Sequence, residues 1–108
     1  MATSVEYIEY VCEQIKNTGV IRYKKMFGEY MVYIDEKPIL MVCDNTVFFK
    51  MLPDIGKLME HAETGYPYDG AKEHYVLDID NSELTTKVIE VLILVTPEKK
   101  SKQAKKNV

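Results

Sequence analysis

The sequence predicts an α+β fold: a two-layer sandwich, an antiparallel sheet with helices on one face, in the order α-β-β-β-α-β-β-α. Three observations point there. Apolar residues recur at helical spacing at each end of the chain. The stretch between, "MFGEYMVYIDEKPILMVCDNTVFFKM", is apolar and β-branched, with short polar breaks. Those breaks, "DEKP" and "DN", are too short for anything but antiparallel neighbours. The 108 residues suit a single domain with one modest core.

The first helix is expected at about residues 4–17. Thr3 and Glu6 fit a capping box, with Ser4 the competing cap. Val5, Ile8, Val11, Cys12 and Ile15 form its apolar stripe, and Gly19 follows Asn17 and Thr18 as a terminating glycine. Three strands are then expected, at 22–35, 38–44 and 46–52. Gly28 falls inside the first and predicts a bulge or a positive φ there. "PDIGKLMEHA" predicts a short helix with Ile55, Leu58, Met59 and Ala62 on its apolar side, weakened by Gly56. Tyr66 and Tyr68 precede the Asp69-Gly70 turn as a short strand, and 74–79 is a second strand. The last helix begins near Asn81 or Ser82. Leu84, Val88, Val91, Leu92 and Val95 make one stripe, Ile89, Ile93 and Leu94 widen it, and Pro97 ends it. Residues 1–97 thus form the domain, and 98–108 are read as a basic, disordered tail.

Charge is unevenly distributed. The last twelve residues hold five lysines and one glutamate, so they carry +4 of a chain whose net charge is −3, and the remainder carries −7. An acidic body with a basic tail is poorly built to grip a phosphate backbone over a wide surface. Direct DNA binding is therefore expected to be absent, or weak and tail-driven. No apolar run approaches the ~18 residues of a membrane helix, and "MATSVEYIEY" lacks the basic and apolar regions of a signal peptide. The expected compartment is the cytoplasm. Cys12 and Cys43 lie in apolar patterns without CxxC spacing and read as buried reduced thiols.

The phosphate-binding glycine loops, the nucleophile elbow and HExxH are all missing from the sequence. His61 reads as an exposed helix residue. His74 and Asp78 could give two metal ligands, one or two short of a site. The carboxylate pairs Asp35-Glu36 and Asp78-Asp80 border turns and read as solvated. Neither a catalytic group, a metal nor a cofactor is expected. Eight tyrosines suit core edges and binding surfaces alike, leaving a tyrosine-lined ligand pocket or enzyme site as the alternative reading. "IRYKKMF" places Arg22, Lys24 and Lys25 beside Tyr23 and Phe27, a short version of an aromatic-basic platform for nucleic acid.

"MATSVEYIEYV", followed by "RYKKMFGEYMVYIDEKPILMVCDNTVFFKM", resembles the N-terminal domain of the TfoX/Sxy family of bacterial competence regulators. The resemblance is carried by four parts. They are the capped first helix, the basic-Met-Phe-Gly turn over Arg22 to Gly28, the Tyr-Ile-Asp-x-Lys hairpin over Tyr33 to Lys37, and the strand from Val47 ending in Lys50. It covers most of residues 1–80 and fades after Tyr75. It implies an antiparallel two-layer fold similar to secretion-chaperone-like folds. It also implies a part in regulating transcription linked to DNA uptake through protein contacts, with no catalytic residues to carry over.

The strands carry apolar residues on both faces. Tyr30, Val32 and Ile34 alternate with Phe27, Met31 and Tyr33, and Ile39 and Met41 oppose Leu40 and Val42. Helices can cover one face, so the other is expected to be hidden by a second copy, the alternative being that the last helix or a loop wraps around it. The leading expectation is a non-enzymatic regulatory and protein-interaction module, a homodimer, with Phe27, Gly28, Tyr30, Val32, Tyr33 and Ile34 as candidate interaction residues.

Overall fold

The computed structural model describes residues 3–26, 29–60 and 62–97. Two helices, α1 (Val5–Gln14) and α2 (Ser82–Val95), lie on one face of a six-stranded antiparallel sheet. Its strands are β1 (Ile21–Met26), β2 (Glu29–Ile34), β3 (Lys37–Cys43), β4 (Thr46–Lys50), β5 (Thr64–Gly65) and β6 (His74–Val76), in the spatial order β1-β2-β3-β4-β6-β5. The α+β class and the antiparallel two-layer arrangement are as the sequence predicts.

Several local expectations change. The single strand expected over 22–35 is two strands, paired from Ile21↔Ile34 to Met26↔Glu29. Phe27 and Gly28 fall between them and outside the described residues, as do His61 and the tail from 98 onward. Ser4, rather than Thr3, caps α1: its hydroxyl accepts from the Tyr7 amide at 3.1 Å. Thr3 instead donates to the Glu29 carboxylate at 2.7 Å and accepts from the Asn45 amide at 3.2 Å, tying the start of α1 to the sheet. Helix α1 stops at Gln14, and a 3-10 turn over Lys16–Thr18 carries the chain to Gly19.

The hairpin turns fall where predicted, except that Lys37 and Pro38, expected within the first, pair with Ile34 and Tyr33 in β3. Asp35 and Glu36, then Asp44 and Asn45, occupy two-residue loops with positive φ at both positions. That conformation matches the twist of the flanking strands, and Asp and Asn tolerate it. The expected helix after Pro53 is only a 3-10 turn, Pro53–Ile55, which nonetheless buries Ile55 and Met59 while Leu58 stays exposed. Tyr66 and Tyr68 are exposed rather than in a strand, which forms at Thr64–Gly65 instead. Strand β6 ends at Val76; Leu77 and Ile79 continue into the core as extended chain.

The core fills the space between helices and sheet. Ile8 and Val11 of α1, Ile15 just beyond it, and Val88, Ile89 and Leu92 of α2 pack onto Tyr30, Val32, Ile34, Leu40, Val42, Val47 and Phe49. Asn81 caps α2, accepting from the Leu84 amide at 3.1 Å. The other end of α2 meets Lys37, whose ammonium donates to the Ile93 carbonyl at 2.7 Å, where a cation complements the helix dipole. The apolar surface of α2 is narrower than predicted. Thr85 shares the buried stripe and Leu94 is 83% exposed, because the sheet spans only one side of the helix.

Candidate functional site

Period-2 alternation assigns each strand residue a face, and the pairing fixes which residues share one. Tyr30, Val32 and Ile34 join the core, so Met31 and Tyr33 lie on the face without helices. Across the strands this helix-free face continues from Lys24 opposite Met31, to Met31 opposite Met41, to Met41 opposite Phe48, to Phe48 opposite Val76. Met31, Met41 and Phe48, with Tyr33 next along β2, therefore form its centre.

The sheet also opens along this face. Strands β3 and β4 pair only from Cys43↔Thr46 to Met41↔Phe48. Beyond that point β3 stays with β2 and β4 with β6. The cause lies in β3: the register shifts between Val32↔Leu40 and Tyr33↔Pro38, leaving Ile39 as an extra residue. A bulge of this kind bends its strand and strengthens its twist. The parted strands leave a groove of about 430 Å³, running from Met26 past Met31, Met41 and Phe48 to Lys50, His74 and the end of α2 at Val95, Thr96 and Pro97. Leu40, Phe49 and Leu92 form its deep end.

The walls are ordered by specific contacts. Arg22 forms a two-pronged ion pair with Glu36, Nε and Nη2 each 3.1 Å from an oxygen, and lies 4.2 Å over the Tyr33 ring. The Glu36 carboxylate thereby raises the Arg22 pKa still further. Phe48 lies close to Gly65, where a Cβ would come within 3.3 Å of the ring. Cys43 is buried beside Glu29 and Asp44; burial, helped by those carboxylates, pushes its thiol up to about 11. Cys12 is half-buried and its thiol is raised for the same leading reason.

Lys50 and His74 face each other across β4 and β6 at the lower end of the groove. His74 Nδ1 lies 2.7 Å from the Lys72 carbonyl oxygen, which directs that nitrogen's hydrogen to the backbone. Among the described residues, Lys50 has no ion-pair partner.

The structure separates the predicted interaction residues. Tyr30, Val32 and Ile34 are sealed under the helices and offer nothing to a partner; Tyr33 stands on the helix-free face; Phe27 and Gly28 lie outside the described residues. Sequence alternation separates the two sets but cannot say which one the helices take. The groove's own residues, Met31, Met41, Phe48 and Lys50, were legible only as partners in parity to Tyr33. The tyrosines do not converge. Tyr23 and Tyr30 meet edge-to-face 5.3 Å apart on the helix side, Tyr75 packs on Phe49 there, and Tyr7 and Tyr10 lie on α1. Asp35 accepts from the Val20 amide at 2.9 Å, and Asp80 from the Tyr10 hydroxyl, so both turn carboxylates serve the backbone or a neighbour. Among the described residues no three of His, Cys, Asp and Glu come together as metal ligands. No helix there is long and apolar enough to cross a membrane.

No known family profile matches the chain. It is 33% identical over 107 residues to an uncharacterized 12.7 kDa protein in the trpE 5′ region of Spirochaeta aurantia, an alignment spanning 97% of this chain and 93% of that protein.

Proposed function

Since the chain belongs to the same family as the Spirochaeta aurantia protein, we propose from its own geometry that it is a non-enzymatic protein-interaction module, docking through the helix-free face of its sheet. A single observation carries the reading. Both helices cover the same face of the sheet, and on the other Met26, Met31 and Met41 are partly exposed over the buried rings of Tyr33 and Phe48. Polarizable, flexible methionines beside aromatic rings suit a surface that adapts to a partner.

The partner is a second copy of the chain, joined face to face. The alternative of edge pairing is disfavoured, because edge strand β1 carries Arg22, Lys24 and Lys25, the cations that blunt a sheet edge. The biological setting is the one the sequence resemblance implies: regulation of transcription linked to DNA uptake, in the cytoplasm, through protein contacts. DNA contact is confined to weak, salt-sensitive attraction by the lysines after Pro97.

Light scattering over a range of concentrations tests the reading. The expected result is a dimer mass that Met41→Glu reduces to a monomer without loss of helical signal. A monomer at high concentration refutes the second copy as partner. DNA binding that survives moderate salt and removal of residues 98–108 refutes regulation by protein contact alone.

A further inference from the structure

We propose that the groove is a binding site for an anionic amphiphile: an apolar acyl or aryl body ended by one carboxylate. The apolar part is provided for by the walls. Met31, Met41 and Phe48 line the groove, and the gap between β3 and β4 carries it down to Leu40 and Leu92. Its volume, about 430 Å³, falls within the range of ~300–1,000 Å³ usual for small-molecule sites.

The charge of the ligand follows from Lys50, which lines the groove opposite His74. The two are directly opposed cross-strand neighbours, and both line the groove. Among the described residues no acid neutralises Lys50. The imidazole's Nδ1 is committed to Lys72, which leaves Nε2 as its available nitrogen. A carboxylate placed at the Lys50 ammonium gains a charge-assisted hydrogen bond there.

The chain's own tail is the wrong occupant. It leaves from Pro97, on the rim of the groove, but carries five lysines against one glutamate. It would add positive charge where positive charge is already in excess.

The inference goes beyond the dimer reading and does not depend on it: one chain contains the whole groove, and a face-to-face dimer would enclose the same Met31, Met41 and Phe48. Titration calorimetry with decanoate below its micelle concentration is the test, with decanol as the neutral control and light scattering on the same samples. Decanoate is expected to bind once per chain and decanol about tenfold or more weakly, the loss of a charge-assisted contact. Lys50→Glu is expected to abolish decanoate binding, whereas Lys87→Glu, on the exposed side of α2, leaves it unchanged. Circular dichroism confirms that both variants fold. Absence of decanoate binding, equal binding of decanol, or binding indifferent to Lys50→Glu overturns the proposal. Binding only to phosphatidylglycerol vesicles, uncompeted by free decanoate, overturns it in favour of a membrane surface. A monomeric protein that binds decanoate supports this site while refuting the homodimer.

Discussion

Replacing Gly19 by alanine tests how tightly the end of the first helical segment is fitted to the sheet. Gly19 has φ 156° and ψ −162°, a region that essentially only glycine occupies. A Cβ there would come within 2.8 Å of both Ile34 Cγ2 and a carboxylate oxygen of Asp35. Neither neighbour yields easily. Ile34 is fully buried, and the Asp35 carboxylate is held by the Val20 amide at 2.9 Å. Forcing a methyl into a packed site costs about 1–3 kcal/mol, and a disfavoured backbone region adds about 1–3 kcal/mol. Part of that is relieved by relaxation, so a loss of about 3 kcal/mol is expected. At this chain length that lowers the melting temperature by at least about 10 °C. Gly70→Ala is the internal control: its φ is 84°, but a Cβ meets nothing within 4 Å. It should cost only about 1–2 kcal/mol, the backbone part alone. Denaturant melts of both variants decide the matter. A Gly19→Ala protein no less stable than Gly70→Ala would refute the close-approach argument.

The remaining expectations concern the core, a helix end and a thiol. Phe49→Ala should cost about 3–5 kcal/mol in a urea melt, because the ring is buried against Tyr75 with centroids 5.5 Å apart. Lys37→Met should cost about 1 kcal/mol, since it leaves the Ile93 carbonyl without its donor at the end of α2. Cys43 should react with iodoacetamide at pH 8 at least about 100-fold more slowly than a free thiol, because its thiol is pushed up to about 11. The same shift favours the protonated native state, so its stabilisation is complete below the ordinary thiol pKa near 9 and is lost as pH rises through about 11. Comparing melts of Cys43→Ala with the parent chain from pH 8 to 11 isolates that contribution, a fall of at most about 3 kcal/mol.

What the sequence by itself determined is what short-range chemistry controls. Helical spacing placed both helices, and Asp35, Asp44 and Asn45 marked the hairpin turns, because Asp and Asn tolerate the positive φ a two-residue loop demands; that Glu36 adopts it too was not legible. Alternation sorted Tyr30, Val32 and Ile34 from Met31 and Tyr33. It also implied that one apolar set would be left without helices. Only the tertiary structure decided which set the helices cover, since both are apolar and the choice depends on where α1 and α2 dock. It alone divided the expected first strand, because pairing of Ile21 through Met26 with Ile34 through Glu29 is a relation between distant residues. Thr3 likewise looked like a helix cap until the sheet brought Glu29 and Asn45 to its hydroxyl. The groove belongs wholly to the tertiary level. It exists because one extra residue at Ile39 turns β3 away from β4, and because β6 returns from far along the chain to set His74 beside Lys50.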